Sequence, residues 1–328
     1  MDAEPIRVAD PAPPARQALL QVGWPARSRS RAYREAIEHL VVFAPHDVAL
    51  LLEGESGTGK MLLARQLHGI SGRRAGPFRL AQLGAMYDSL AYSDLFGHVA
   101  GAFTDARQSR KGFFASASGG TLFLDEIGKA SAQVQKMLLH AVEHQAILPA
   151  GSDRELPVNV RVFAASNVPL AELAQRGEFL ADLYARLNGF RVVLPPLRKR
   201  VADIPVLAEE IVQAHAPSCR YLAGPSIESD LMDALVQAEW PDNLRGLDAA
   251  IHRMMILAWP APRLSLRHCT GDLAYLAKPR RPKPGSVRAE DVQRAKEITK
   301  TMEEAAQLLG LHRTTAHKIL RRARERGD

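Results

Sequence analysis

The stretch Gly54-Glu55-Ser56-Gly57-Thr58-Gly59-Lys60 lies between a short apolar run, Ala49-Leu50-Leu51-Leu52, and a segment that sets Leu62, Leu63 and Leu67 at helical spacing. Its glycines let backbone N–H groups approach phosphate oxygens. A helix opening at the end of the loop turns its positive terminus toward the same anions, and Lys60 reaches the outer phosphates. The seven-residue pattern alone would mean little, but strand, loop and helix in this order are the setting a phosphate-binding loop requires. The stretch therefore predicts a strand-loop-helix that cradles a nucleoside triphosphate such as ATP. Met61 stands where a generic loop of this kind has the Ser or Thr that coordinates Mg²⁺, which weakens the metal site, not the phosphate cradle, and leaves the ion to other residues.

Those other residues come later in the chain. Gly119-Gly120-Thr121-Leu122-Phe123-Leu124-Asp125-Glu126 reads as a buried strand ending in two carboxylates. An Asp-Glu pair at a strand end is ordinarily a solvated polar terminus. Behind an apolar run, and in a chain with a phosphate loop, it fits a division of labour: Asp125 holds Mg²⁺, directly or through water, and Glu126 polarises the attacking water. A third apolar run, Val160 to Ala165, ends at Ser166-Asn167, where the Asn167 amide is placed to sense the γ-phosphate.

Three such runs alternate with helix-period segments such as Val134, Leu138, Ala141 and Val142. This predicts an α/β fold over 27–200, a parallel sheet with helices on both faces. Residues 201–276 read as mainly helical, with Ile204, Leu207 and Ile211 on one face and Leu247, Ile251 and Met254 on another. Residues 1–26 form a Pro-, Ala- and Arg-rich lead-in without periodicity, and 277–289 a basic, proline-broken linker around Lys278-Pro-Arg-Arg-Pro-Lys-Pro-Gly285. The chain opens on Met-Asp-Ala-Glu-Pro and has no apolar stretch of membrane-spanning length, so the expectation is a cytoplasmic protein. Cys219 and Cys269 have no ligand or CxxC spacing and read as reduced thiols.

The charge is unevenly placed. Residues 278–328 contain 14 Lys and Arg against 7 Asp and Glu, which accounts for the whole net charge of +7. A basic tail on a neutral body points to a polyanion. Within it, Thr301-Met-Glu-Glu304 reads as a capping box opening a helix over Glu303–Leu309, and Gly310-Leu311 turns into a second helix over Arg313–Arg326. That helix sets Ala316, Ile319 and Leu320 on one side and Arg313, Thr314, Thr315, His317, Lys318, Arg321 and Arg322 toward the open one. A second helix after a glycine turn, basic on its open face, is how a helix-turn-helix presents itself to double-stranded DNA; the bland alternative is a solvated basic hairpin.

On these residues, and on Asp94-Leu-Phe-Gly-His98 followed by Gly101-Ala102-Phe103-Thr104-Asp105-Ala106, the chain from about Arg27 to Arg263 resembles the sigma-54-dependent activators, the bacterial enhancer-binding proteins of the AAA+ class. The 101–106 segment is similar to the family's GAFTGA loop. A Phe-Thr pair between small residues suits an exposed tip that docks in a partner's groove. Leu194-Pro-Pro-Leu-Arg-Lys-Arg200 resembles the junction to the family's helical lid, and Trp240-Pro-Asp-Asn-Leu-Arg245 its second sensor, which would make Arg245 a phosphate contact. The tail, 290–328, resembles the Fis-type domain of the family.

The resemblance implies an AAA+ ATPase with a helical lid subdomain and a C-terminal all-α helix-turn-helix. Such a protein would bind enhancer DNA, assemble into a homo-oligomer, expected to be a hexamer, and use ATP and Mg²⁺ to remodel the closed complex of sigma-54 RNA polymerase holoenzyme. With only 26 residues ahead of the ATPase domain, control is expected from a separate protein, from expression level or from a partner activator.

Three positions depart from the family. In the segment resembling its arginine fingers, Gly177 to Arg186, Arg186 matches one finger and Leu180 replaces the other, with Arg176 and Arg191 close by in sequence. Gln82 replaces the asparagine that pairs with the catalytic glutamate, and Asp105 replaces the second glycine of the loop. These departures favour an alternative: a weakly hydrolysing, DNA-bound co-activator or antagonist that acts in mixed rings, as a hetero-oligomer with a related activator.

Overall fold

The computed structural model describes residues 28–104, 106–276, 292–293, 301–303 and 313–326. The 1–26 lead-in, Asp105, the 277–289 linker, the Glu304 end of the expected capping box and most of the helix expected over Glu303–Leu309 lie outside the described residues. Among the described residues, no helix is long and apolar enough to cross a membrane.

Helix α1 (Arg31–Phe43) leads into β1 (Leu50–Glu53), α2 (Lys60–Ile70), β2 (Phe78–Gln82), α3 (Asp88–Phe96), the one-turn α4 (Phe113–Ser116) and β3 (Thr121–Asp125). Then follow α5 (Ala132–His144), a hairpin of β4 (Ala146–Ile147) and β5 (Leu156–Pro157), β6 (Arg161–Ser166), α6 (Leu170–Gln175), α7 (Ala181–Leu187) and β7 (Phe190–Val193). The main sheet is ordered β2-β3-β6-β1-β7, with every pair parallel.

The three apolar runs of the sequence are β1, β3 and β6. All of their residues are buried except Asp125, as covering both faces with helices demands. Alternation sorts them between two cores. Leu51, Leu122, Leu124, Val162 and Ala164 join α3, α5 and α7 on one face, while Leu50, Leu52, Phe123, Phe163 and Ala165 join α1 and α2 on the other. The outer strands β2 and β7 mix buried and exposed positions, so they leave no apolar run to read.

Two polar side chains fasten the first helix. Asp203 accepts from the Ser28 hydroxyl and the Arg29 N–H, both at 2.6 Å, and from the Ser30 N–H at 3.0 Å, which ties the residues just ahead of α1 to a distant part of the chain. At the other end, buried Arg161 donates to the carbonyls of Phe43, Ala44 and Val48, with its guanidinium 4.8 Å from the Phe163 ring centroid. Burial lowers its pKa to about 10, which leaves it charged at neutral pH. Arg161→Met keeps the volume but strands three carbonyls, so unfolding free energy in a urea titration should fall by about 3 kcal/mol, as expected for charge-assisted bonds whose acceptors stay buried.

The remaining elements are α8 (Ile204–His215), β8 (Ser226–Ile227), α9 (Ser229–Gln237), α10 (Asn243–Ala258), β9 (Arg263–Leu264) and α11 (Arg313–Arg326). The chain divides into two compact units: Met1–Pro225 with Glu239–Trp259, and Ser226–Ala238 with Pro260–Asp328. In the first, α8 and α10 pack together through Ile204, Leu207, Leu247, Ile251 and Met254, all buried, whereas Ile211 is only half-buried. In the second, β8 and β9 pair in parallel, and Leu231 and Leu235 of α9 are buried.

Candidate functional site

The glycine-rich loop Gly54 to Gly59 joins β1 to α2, in the strand-loop-helix order expected of a phosphate-binding loop. Gly54, Gly57 and Gly59 all have positive φ. At Gly57 the requirement is doubled, because a Cβ there would stand 2.1 Å from the Asp242 carbonyl oxygen. The loop is closed down from the side by the segment Trp240 to Arg245. The Leu244 N–H donates to the Gly57 carbonyl at 2.9 Å, and the Arg245 guanidinium donates to the Ser56 hydroxyl at 3.1 Å.

Asn243, fully buried and itself at positive φ, is the hub of this contact. Its amide donates to the Ser56 carbonyl at 2.9 Å and to Glu55 at 3.2 Å, and accepts from the Leu197 N–H at 2.7 Å. Glu55 also takes a two-pronged bond from Arg198, which holds its carboxyl down at about 2. The sequence reading gave Arg245 the role in this segment and missed Asn243. Its only signal was a side chain able to both donate and accept, placed at the start of a helix.

Lys60 donates to the carbonyls of Gly54 at 2.6 Å and Glu55 at 2.9 Å. Burial pulls its pKa down, and Asp125 and Glu126 push it back up. Asp125 ends β3 half-buried; burial raises its carboxyl pKa, opposed by a bond from the Glu126 N–H at 3.0 Å and by the Lys60 charge. A cleft of about 480 Å³, within the range for cofactor sites, is lined by Ser56 to Leu62, by Asp125, Glu126 and Asn167 at the ends of β3 and β6, and by Leu244, Arg245 and Asp248 of α10. Of the three leucines read as the inner face of α2, Leu63 and Leu67 are buried, while Leu62 is 43% exposed and turns with Met61 into this cleft.

Gln82 ends β2 opposite Asp125 in the register, with its side chain exposed. Among the described residues no hydrogen bond joins it to Glu126. The Glu126 carboxylate is instead bonded by Lys129 at 2.8 Å.

The other expected residues lie apart from the cleft. Arg186, on α7, is paired with Glu143 of α5 at 2.8 Å. Leu180 immediately precedes α7; it is half-buried against the core, and its N–H donates to Gln135 at 2.7 Å. Arg176 is paired with Glu178, and Arg191 with the buried Glu53.

Gly101 to Ala106 forms a loop closed by Gly101 N–H to Ala106 O at 2.8 Å and Ala106 N–H to Phe103 O at 2.9 Å. It stands on a bridge between His98 and Arg110 and on the turn at Ala150. Phe103 is 45% exposed, with its other face edge-on to the His98 ring at 4.9 Å; Ala102 is half-buried, and Thr104 is exposed. On α11, Thr314, Thr315, His317, Lys318 and Arg321 are exposed, and the side chains of Arg313 and Arg322 lie outside the described set.

Comparison with known proteins matches residues 26–193 to the family model described as the sigma-54 interaction domain and residues 198–283 to that of an AAA+ ATPase lid domain. The chain is 42% identical over 221 residues to the sigma54-dependent transcriptional activator SfnR of Pseudomonas putida, covering 67% of this chain and 60% of that protein. It is 43% identical over 228 residues to the transcriptional regulatory protein ZraR of Klebsiella oxytoca, covering 70% and 51%. The chain thus spans about half to three-fifths of the length of these relatives. The crystal structure of NtrX from Brucella abortus in complex with ADP superposes with a TM-score of 0.70 at 25% identity, over 92% of this chain and 69% of that one.

Proposed function

The chain belongs to the sigma-54 interaction family of AAA+ ATPases, and on that premise we propose that it is a transcription activator. It would hydrolyse ATP in a ring, with a hexamer as the expected assembly, and use the stroke to push Gly101 to Ala106 against sigma-54 in the polymerase closed complex. The observation that carries the reading is the single cleft that gathers Lys60, Asp125, Glu126, Asn167 and Arg245 beside the positive-φ glycines of the loop. NtrX, of like fold, holds ADP.

The residues fit the nucleotide. Backbone N–H groups of 54–60 and the Lys60 ammonium would take the phosphates, Arg245 would reach them from α10, and Asn167 would orient water. They also fit Mg²⁺, for which Asp125 offers one half-buried carboxylate beside the cradle. Mg²⁺ commonly binds with one or two carboxylates, phosphate oxygens and water, and the Met61 thioether adds nothing to that set. Bound there, the ion would neutralise phosphate charge, while Glu126 takes up the proton of the attacking water.

The basic face of α11, with Arg313, Thr314, Thr315, His317, Lys318, Arg321 and Arg322, would place the ring on upstream DNA as a Fis-type helix-turn-helix. A second reading is favoured by Leu180, whose half-buried side chain offers neighbouring subunits no charge: a weakly hydrolysing co-activator working in mixed rings. Turnover of the purified chain decides between the two. With one matched finger, Arg186, at each interface, Leu180→Arg should raise kcat by about tenfold, and admixture of a two-fingered relative should do the same. Brisk hydrolysis by the unmodified chain that Leu180→Arg fails to increase, together with loss of turnover in Arg186→Ala, would leave Leu180 a packing residue and the full activator reading intact.

A further inference from the structure

We propose that Lys129 is a positioning residue for hydrolysis: with Gly84 it forms a seat that holds the Glu126 carboxylate and keeps ATP turnover below what the cleft could otherwise reach. The inference rests on the reading of Glu126 as the group that engages water, and it deepens that reading.

Three independent features build the seat. Glu126 has φ 55° and ψ 41°, a left-handed conformation that a non-glycine residue adopts only when its surroundings impose it. The turn Ile127–Lys129 follows directly, closed by the Lys129 N–H donating to the Glu126 carbonyl at 2.9 Å, and it brings the Lys129 ammonium to 2.8 Å from Glu126 Oε2. Beneath the same oxygen lies Gly84, where a Cβ would stand 1.8 Å from Oε2 and 3.1 Å from Lys129 Cδ. The carboxylate is thus lodged between an ammonium and a bare backbone. Gln82, at the nearby end of β2, takes no part in the described bonds of Glu126.

A carboxylate oxygen that accepts from an ammonium has less electron density and fewer free directions to offer a water molecule. Water taken up at Oε2 therefore competes with the bond from Lys129. The pair is half-exposed, with side-chain accessibilities of 52% and 35%, so it is weak enough to be broken and remade within a cycle. Its removal should be worth no more than about fivefold in rate.

The test is steady-state ATP hydrolysis at saturating protein, with affinity for a fluorescent ATP analogue measured alongside. Lys129→Gln should raise kcat by about two- to fivefold, leaving KM and analogue affinity unchanged. Lys129→Arg, which restores the cation, should stay at the level of the unmodified chain. A kcat for Lys129→Gln at or below that of the unmodified chain, with normal analogue binding, would overturn the inference while leaving the role of Glu126 standing. So would a Lys129→Arg protein as fast as Lys129→Gln. In the double variant Lys129→Gln/Glu126→Gln turnover should vanish; undiminished hydrolysis there would overturn the role of Glu126 and the seat with it.

Discussion

Lys60→Ala is expected to lower affinity for ATP by about a hundredfold or more, whereas Glu126→Gln is expected to leave affinity within about threefold and to cut turnover by about 10² to 10⁴. The first figure follows from two or more charge-assisted bonds between an ammonium and phosphate oxygens, at about 1.5 to 3 kcal/mol each. Lys60 turns inward on the loop, bonded to the carbonyls of Gly54 and Glu55. Glu126 touches no loop atom in the described bonds, and replacing it by an amide removes proton acceptance without changing shape. Titration with a fluorescent ATP analogue, followed by a phosphate-release assay on the same preparations, separates the two effects. Normal binding by Lys60→Ala would move the phosphate site elsewhere, and persistent release by Glu126→Gln would move the base.

Deleting residues 278–328 should abolish specific binding to duplex DNA, a loss of about 10³ or more in affinity, because the deleted piece carries the net positive charge and all of α11. The intact chain should also weaken steeply as salt rises, each neutralised phosphate adding about 0.9 to the slope of log K against log salt. Lys318→Ala and Arg321→Ala, both at exposed positions of α11, provide the finer measurement. If each contacts a phosphate, each should reduce the salt slope by about one and weaken all sequences alike. Equal DNA affinity for the shortened and intact chains would remove DNA binding from this end of the protein.

Much of the ATPase region could be read from the sequence because its signals are local. Three buried strands appear as apolar runs, and the phosphate loop announces itself by glycine spacing. The two carboxylates follow directly on a strand that must end at the sheet's carboxyl edge. What could not be read depends on partners far away in the chain. Strands β2 and β7 hide because half of each faces solvent. Asn243 is legible only once the loop it bonds, Glu55-Ser56, is known to lie against it. Leu180 could be recognised as a departure from the family, but not as a half-buried side chain on the core. Lys129 lay within reach, since a cation three residues after a carboxylate in a tight turn can fold back on it, but its contact with Gly84 could not have been read that way.

The place of β1 has a consequence for how the protein is made. The earliest strand of the main sheet lies between β6 and β7, the last two of that sheet, registered on Phe163 on one side and Phe190 on the other. At about 5–20 residues per second, on the order of ten seconds pass between synthesis of Glu53 and of Phe190. Until β6 follows, Leu50, Leu51 and Leu52 have no strand partner on either side, while β2 and β3 are already free to pair with each other. The nascent chain must therefore carry an unpaired apolar strand while the residues from Glu53 to Arg161 are made, a natural handhold for a chaperone. The loop that hangs from this strand is closed by a segment made later still, Trp240 to Arg245.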